Sequence, residues 1–177
     1  FYARAYDARG QHAEADKVYA ASTSGRQGWQ NDAAVSTWLD RQQWVPAREA
    51  AQAWYDRASA NNDVLETLRA QAALASVGIF SGDTGATRGL QSLLAAVDRQ
   101  SEAVDAIYPP ASTELRMYAG LLAAYRDDRA GVDAALRSTD GSVAVREFPT
   151  LAQLRQVLLA EQARLSGQPK AAVARLQ

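Results

Sequence analysis

Apolar residues recur at intervals of three and four along most of the chain. Three series illustrate the spacing: Leu65, Leu68, Ala72 and Ala75; Leu90, Leu93, Leu94 and Val97; and Leu151, Leu154, Val157, Leu158 and Leu165. This period puts apolar side chains on one face of an α-helix. Alternating strand patterns are nearly absent, and the one short β-like run, SVAV at residues 142–145, is interpreted as a connector. The chain is therefore predicted to be all-α.

Two pairs of residues have the spacing of a capping box. In this arrangement a first side chain accepts a hydrogen bond from a free helix amide, and the side chain three residues later reaches back. Asp63 pairs with Glu66 in this way, and Thr150 pairs with Gln153. Helices are predicted to start at both positions.

Glycine and proline predict where helices end. Gly10, Gly82 and Gly167 follow strongly helical segments, and a left-handed cap at the end of a helix needs a residue without a Cβ. The pair at 109–110, Pro-Pro, cannot continue a helix, so a new helix is expected near Ser112. The result is a succession of helix pairs joined by short turns.

The opening stretch, FYARAYDARGQHAEADKVYAAS, has small and bulky residues at positions that recur at the other end of the chain. The positions are counted from a turn glycine: seven and four residues before it, and five and nine residues after it. Around Gly10 they hold Ala3, Tyr6, Ala15 and Tyr19. Around Gly167 they hold Ala160, Ala163, Ala172 and Leu176. Small residues let the two helices of a hairpin approach closely, and a bulky residue one turn later fills the space beside the crossing.

This order of residues resembles the tetratricopeptide repeat, a unit of about 34 residues that folds as two antiparallel helices. Looser copies occur at Ala51, Tyr55 and Ala58 after Trp38, Leu39 and Trp44; at Gly89, Leu93 and Ala96; and at Ala134 after Leu122 and Tyr125, with Ser138 where a bulky residue is expected. The resemblance implies a right-handed α-solenoid of stacked antiparallel helix hairpins.

The resemblance also implies how the chain is divided. One solenoid of about five units is expected, the first and last truncated, at residues 1–30, 31–61, 62–108, 109–148 and 149–177. An extra short helix is expected near Ser101–Tyr108. Because Phe1 opens the chain in what reads as the middle of a helix, the chain is expected to be a fragment whose cut ends could self-associate.

Composition excludes several classes of function. The 177 residues carry 19 Lys and Arg against 20 Asp and Glu, a net charge of −1 that gives nucleic acid no advantage as a partner. Cysteine is absent, so disulfides and thiolate chemistry are excluded. No apolar run approaches the roughly 18 residues of a membrane-spanning helix, so membrane insertion is not expected.

Few residues suggest catalysis. His12 is the single histidine and is interpreted as a surface residue in a turn. The acidic pairs at 127–128 and along 98–105 are interpreted as solvated helix ends, and SGDTGATRG at 81–89 lacks the Gly-Lys-Ser/Thr of a phosphate loop. No catalytic residue, cofactor or metal is predicted.

The resemblance assigns candidate partner-binding residues, because solenoids bind partners along the concave face formed by their first helices. Projected onto this chain, the groove positions are Arg4, Asp7, Asp40, Gln43, Trp44, Arg69, Ser76, Arg116, Arg126, Glu161 and Arg164. The arginines in this set favour a peptide or loop that carries carboxylates, and the alternative is that they are solvated charges. Among the tryptophans, Trp38 and Trp54 are predicted to be core and Trp44 an exposed anchor.

The function implied by the resemblance is a non-enzymatic protein–protein interaction scaffold. It would be the sensor or interaction arm of a larger bacterial signalling or transcription-regulatory protein, with another domain of the parent chain among the candidate partners. A cytoplasmic location is favoured. The alternative is a periplasmic scaffold of an envelope or exopolysaccharide export system, and an enzyme is the third hypothesis.

Overall fold

The computed structural model describes residues 6–21 and 28–176, and all regular secondary structure in this part is helical. The helices described are α1 (His12–Ala21), α2 (Gly28–Asp40), α3 (Trp44–Ala60), α4 (Val64–Phe80), α5 (Ala86–Ile107), α6 (Ala111–Tyr125), α7 (Arg129–Ser138), α8 (Val143–Glu147), α9 (Pro149–Leu165) and α10 (Pro169–Ala174). The predicted all-α class is confirmed. Within the described residues, no helix combines the length and apolar character needed to cross a bilayer.

The chain divides into two compact units, residues 1–83 and 84–177. Helices α1 to α4 belong to the first unit, and α5 to α10 belong to the second. The boundary lies in the turn between α4 and α5, inside the third predicted repeat. The single solenoid of five repeats stays a prediction.

One tight turn recurs along the chain. Among the described residues, one with φ between +55° and +75° ends six helical segments, at Gly10, Gln42, Asn62, Gly82, Asp127 and Gly167. In each of these turns, the backbone amide of the next residue donates to the carbonyl oxygen of the residue five positions before that amide, at 2.8 or 2.9 Å. This is the Schellman motif, in which a left-handed residue closes the last turn of a helix. The helix ends predicted at the three glycines are confirmed.

The two predicted helix starts are confirmed, but only one has the predicted cap. The Asp63 side chain accepts from the Glu66 amide at 3.0 Å, while the Glu66 carboxylate accepts from Trp54 Nε1 at 3.0 Å. Helix α9 begins at Pro149 without a side-chain cap, so Thr150 does not have the predicted role. Proline fits the first position of a helix because its φ is already helical and its missing N–H has no partner there.

Two predictions about short elements are wrong. Residues 142–145 do not form a connector, because α8 occupies Val143–Glu147. Residues 101–108 do not form a separate short helix, because α5 runs unbroken for 22 residues to Ile107 and stops before the two prolines. The following helix begins at Ala111, as expected from a start near Ser112.

The core of the first unit forms where α2, α3 and α4 pack together. Its buried residues are Val35, Ala47, Ala51, Trp54, Ala58, Ala70, Ala73 and Val77. Trp54 is buried as predicted, and Trp38 packs against the same cluster while remaining partly exposed. Ala15, the small residue of the opening stretch, is fully buried, whereas Ala3 and the Tyr19 side chain lie outside the described part.

The core of the second unit forms where α6, α7 and α9 pack together. Its buried residues are Met117, Ala123, Ala124, Val132, Ala135, Leu136, Leu151 and Leu158. Gly120 permits a close crossing of α6 and α7, because a Cβ added there would lie 2.6 Å from the Ala135 Cβ. The predicted small-residue packing of a helix hairpin is therefore present in this unit.

The packing positions predicted for the helix at 129–138 are wrong by two residues. Ala134 and Ser138 are exposed, and the buried positions of α7 include Val132 and Leu136. These two residues follow Asp127, the left-handed turn residue, by five and nine positions. At the end of the chain, Leu176 is 61% exposed and does not fill space beside a helix crossing.

Candidate binding groove

A cavity of about 330 Å³ lies between α5, α6 and α7 in the second unit. Each helix lines it with residues spaced three, four or seven apart, as expected from one helical face. The lining consists of Thr87, Leu90, Gln91, Leu94 and Asp98 on α5, of Arg116, Ala119, Gly120 and Ala123 on α6, and of Asp128, Gly131, Ala134, Ala135 and Ser138 on or next to α7. We call this feature the α5–α6–α7 cavity.

The cavity exists because α7 has no large side chain on this face. Gly131, Ala134, Ala135 and Ser138 are all small, so nothing on α7 reaches across to the leucines of α5. This gap was not predicted from the sequence: Ser138 was noted where a bulky residue was expected, but the bulky residue of this helix is the buried Leu136.

Charged side chains border the cavity at two places. Arg116 donates from Nε and Nη2 to Asp98 Oδ1, at 3.3 and 3.1 Å. The Arg116 side chain is 19% exposed and that of Asp98 is 68% exposed. Arg126 donates to Thr87 Oγ1, and Asp128 accepts from an amide in the first turn of α7 at 3.0 Å. The structure thus brings two of the predicted arginines to one site.

Two other predicted residues lie together but away from this cavity. Arg164 donates from Nε to Glu161 at 2.6 Å, from Nη1 to Asp127 at 2.9 Å and from Nη2 to the Ala124 carbonyl at 3.0 Å. Hydrogen bonds to Glu161 and Asp127 raise the pKa of Arg164 above its ordinary value. Both carboxylates are partly exposed, so this group is a solvated ion-pair network.

Asp7 belongs to a charged cluster in the first unit that the sequence did not predict. Arg41 donates from Nε to Asp7 at 2.8 Å and from Nη1 to Asp16 at 2.7 Å, and its guanidinium carbon lies 4.9 Å from the centre of the Trp38 ring. His12 Nδ1 lies 2.9 Å from the same Asp7 oxygen. The cluster joins Asp7, in the segment before α1, and His12 and Asp16 of α1 to Arg41 at the end of α2.

The cluster shifts two pKa values. Burial by itself would raise the pKa of Asp7, but hydrogen bonds from His12 and Arg41 and the Arg41 charge outweigh it, so the pKa of Asp7 is lowered. Burial would lower the pKa of Arg41, but the carboxylates of Asp16 and Asp7 raise it above its ordinary value. Both charged forms are therefore favoured in the folded chain.

Asp7 is expected to contribute stability that is lost in acid. Because its pKa in the folded chain lies below the ordinary 3.8, the carboxylate stabilises the fold above that pH. The contribution disappears as the pH falls below 3.8 towards the lowered value. Urea denaturation of wild type and Asp7→Asn should show a difference in unfolding free energy at about pH 6 that shrinks by about pH 3. A difference independent of pH would contradict this role of Asp7.

The other predicted partner-binding residues are dispersed. Arg4 lies outside the described residues. Asp40 and Gln43 are exposed near the turn between α2 and α3, and Trp44, the predicted exposed anchor, is half-buried at the first position of α3. Arg69 is half-buried and donates to Glu66 at 3.0 Å.

Ser76 cannot serve as a partner-binding residue. Its side chain is buried, with 1% of the residue exposed, and its hydroxyl donates to the Ala72 carbonyl at 2.8 Å. A serine can satisfy its hydroxyl on the preceding helical turn in this way, so it is tolerated inside a core. The projection of this position onto an exposed concave face is therefore corrected.

The residues considered for catalysis have local structural roles. Asp128 caps α7, Asp127 binds Arg164, and Asp105 accepts from the Ser112 amide at 2.8 Å and from its hydroxyl at 2.6 Å. Among the described residues, no three histidine, aspartate or glutamate side chains converge to hold a metal ion. The segment 81–89 forms a Schellman turn and the start of α5.

Comparison with known proteins gives no match: no family model, no curated protein and no solved structure is similar to this chain at a significant level. The fold defines the class, an all-α protein with recurrent helix turns. The α5–α6–α7 cavity is the candidate site, because it combines an apolar surface with charged groups at its borders.

Proposed function

We propose that this chain is a tetratricopeptide-like solenoid that acts as a non-enzymatic protein-binding scaffold. The observation that carries the proposal is the recurrence of the Schellman turn in the described residues: each of the five predicted units contains one, at Gly10, Gln42, Gly82, Asp127 and Gly167, and the third unit begins with a further one at Asn62. Seven residues before Gln42, Gly82, Asp127 and Gly167 stand Val35, Ala75, Gly120 and Ala160, all buried, whereas Tyr55, seven before Asn62, is half-buried. A repeated turn with a repeated buried position is typical of a repeat architecture.

Helix contacts inside each compact unit support the proposal. In the first unit, α2 and α3 each pack against α4; in the second unit, α6 and α7 each pack against α9. Both helices of one predicted hairpin thus contact the first helix of the next. Solenoids bury their apolar surface in this way, by nearest-neighbour stacking of hairpins.

We propose that the partner binds at the α5–α6–α7 cavity and at the two arginines on its border. The apolar lining can accept an apolar side chain, and guanidinium groups such as those of the largely buried Arg116 and the exposed Arg126 form strong hydrogen bonds with carboxylates. The partner would be a protein or peptide, including another domain of the parent chain. The assignment to an interaction arm of a bacterial signalling or transcription-regulatory protein is supported by the sequence resemblance alone.

The double variant Arg116→Glu plus Arg126→Glu is expected to lose the partner, because two hydrogen-bond donors become repelling carboxylates. Arg146→Glu plus Arg175→Glu is the matched control, since both arginines are exposed in the same unit, line no part of the cavity and give the same change in net charge. Wild type and both variants serve as baits in lysate of the source organism, after thermal denaturation confirms that each is folded.

Three results distinguish the alternatives. A protein retained by wild type and by the control but lost by the cavity variant supports the proposed surface. If all three baits retain the same protein equally, the partner does not bind at this surface. If wild type retains no specific protein, the chain does not act as a scaffold that binds a separate protein.

A further inference from the structure

The α5–α6–α7 cavity has the size of a site for a small molecule. Its volume of about 330 Å³ lies at the lower end of the range of about 300 to 1,000 Å³ that is typical of ligand sites. Such sites are mostly apolar and contain a few polar groups that fix the orientation of the ligand. Leu90, Leu94, Ala119 and Ala123 give this cavity its apolar part.

The Arg116–Asp98 pair provides hydrogen-bond donors on the guanidinium and an acceptor on the carboxylate. A guanidinium has five N–H donors, and Arg116 uses two of its nitrogens, both towards Asp98 Oδ1. In the described part of the chain, Asp98 Oδ2 accepts no hydrogen bond, and its side chain is 68% exposed. The pair can therefore accept a carboxylate on the remaining guanidinium N–H groups and an ammonium on the second aspartate oxygen.

The charges around the cavity favour a ligand without net charge. Asp98, Asp128 and Arg116 line it, and Arg126 borders it through Thr87, so the two carboxylates are balanced by two guanidinium groups. A ligand with a single charge would leave one charge uncompensated beside an apolar surface, which is costly. A zwitterion adds charge of both signs and satisfies both halves of the Arg116–Asp98 pair.

From this geometry we infer that the α5–α6–α7 cavity binds a free α-amino acid with an apolar side chain. The carboxylate binds Arg116, the ammonium binds Asp98, and the apolar side chain lies against the leucines and alanines of α5 and α6. This site overlaps the proposed partner surface at Arg116, so the amino acid and the partner would compete, but binding of the amino acid is tested on this chain by itself.

Three probes with one side chain test the inference in a nuclear magnetic resonance titration of the full chain. L-phenylalanine has both charges, L-phenylalaninamide keeps only the ammonium, and N-acetyl-L-phenylalanine keeps only the carboxylate. L-phenylalaninamide also represents the first residue of a peptide, and N-acetyl-L-phenylalanine represents the last residue. L-phenylalanine is expected to shift amide signals of α5, α6 and α7 and to bind about tenfold more tightly than either analogue, because loss of a charged hydrogen-bond partner typically has such an effect.

Variants locate the site and assign the charges. Ala134→Leu is expected to abolish binding by filling the cavity, whereas Ala130→Leu is the matched control on an exposed position of α7 that does not line it. Asp98→Asn is expected to weaken L-phenylalanine about tenfold but not to weaken N-acetyl-L-phenylalanine, because only the former has an ammonium.

Several results would overturn the inference. No shift with any probe excludes an amino-acid site, and binding that persists in Ala134→Leu excludes this cavity. An amide or N-acetyl analogue that binds as tightly as the free amino acid assigns the cavity to a peptide terminus. None of these results depends on retention of a protein partner, so failure here is distinguishable from failure of the scaffold proposal.

Discussion

Replacement of Arg41 with alanine is expected to lower the free energy of unfolding by about 3–5 kcal/mol. The Arg41 side chain is 8% exposed and binds Asp7 and Asp16, which lie 34 and 25 residues away in sequence. Removal of the guanidinium leaves the Asp7 carboxylate, 16% exposed, without its main cation. Its Oδ2 atom is already buried without a hydrogen bond among the described residues, and His12, 2.9 Å from Oδ1, then remains in contact with the carboxylate.

Urea denaturation at neutral pH measures this effect, and Arg48→Ala is the control. Arg48 also forms an ion pair in the first unit, with Asp83 at 3.1 Å, but the two side chains are 51% and 39% exposed. An exposed pair contributes at most about 1 kcal/mol, so its loss should hardly move the transition. Equal losses in the two variants would show that burial of the Arg41 cluster has no energetic consequence.

The Arg41 cluster shows why this part of the structure could not be predicted from sequence. Arg41 follows the end of α2 in the run DRQQW, where an arginine reads as an ordinary solvated turn residue. Its partners are Asp7, before α1, and Asp16, in α1, and no local spacing relates residues 25 or 34 positions apart. Asp7 was selected as a groove residue, but its charge is satisfied inside the unit instead.

The turns were predictable where glycine occupies them. Gly10, Gly82 and Gly167 adopt positive φ as expected, because glycine has no Cβ to disfavour that region. Gln42 and Asp127 adopt the same conformation, but neither residue type reliably indicates it. With the turn at Asp127 unrecognised, the predicted packing positions of α7 were placed two residues too late, and Val132 and Leu136 were missed as core.

The candidate site was only partly predictable. Arg116 and Arg126 were selected from a repeat pattern, and both border the α5–α6–α7 cavity. Asp98 and Thr87 were not selected, because their importance depends on how α5 packs against α6. A cavity is a property of three helical faces together, so a sequence pattern that describes one hairpin at a time cannot reveal it.

Gly120→Ala is expected to lower the free energy of unfolding by about 1–3 kcal/mol, although alanine is the better helix former. The added Cβ would lie 2.6 Å from the Ala135 Cβ and 3.0 Å from a Leu158 methyl group. The Ala135 Cβ is fixed to its backbone, so α6 and α7 must separate to accept the new atom. That separation loosens the packed core on both sides of the crossing.

Gly89→Ala is the control for this experiment, because it is expected to raise the free energy of unfolding, whereas Gly120→Ala is expected to lower it. Gly89 lies in α5, and a Cβ added there would have nothing within 4 Å. Alanine should therefore stabilise this helix by about 0.5–1 kcal/mol, through the lower conformational entropy of the unfolded chain. If chemical denaturation shows that both variants are stabilised, α6 and α7 do not cross closely at Gly120. A loss at Gly120 with a gain at Gly89 would mean that a small residue at position 120 is a packing requirement of the hairpin.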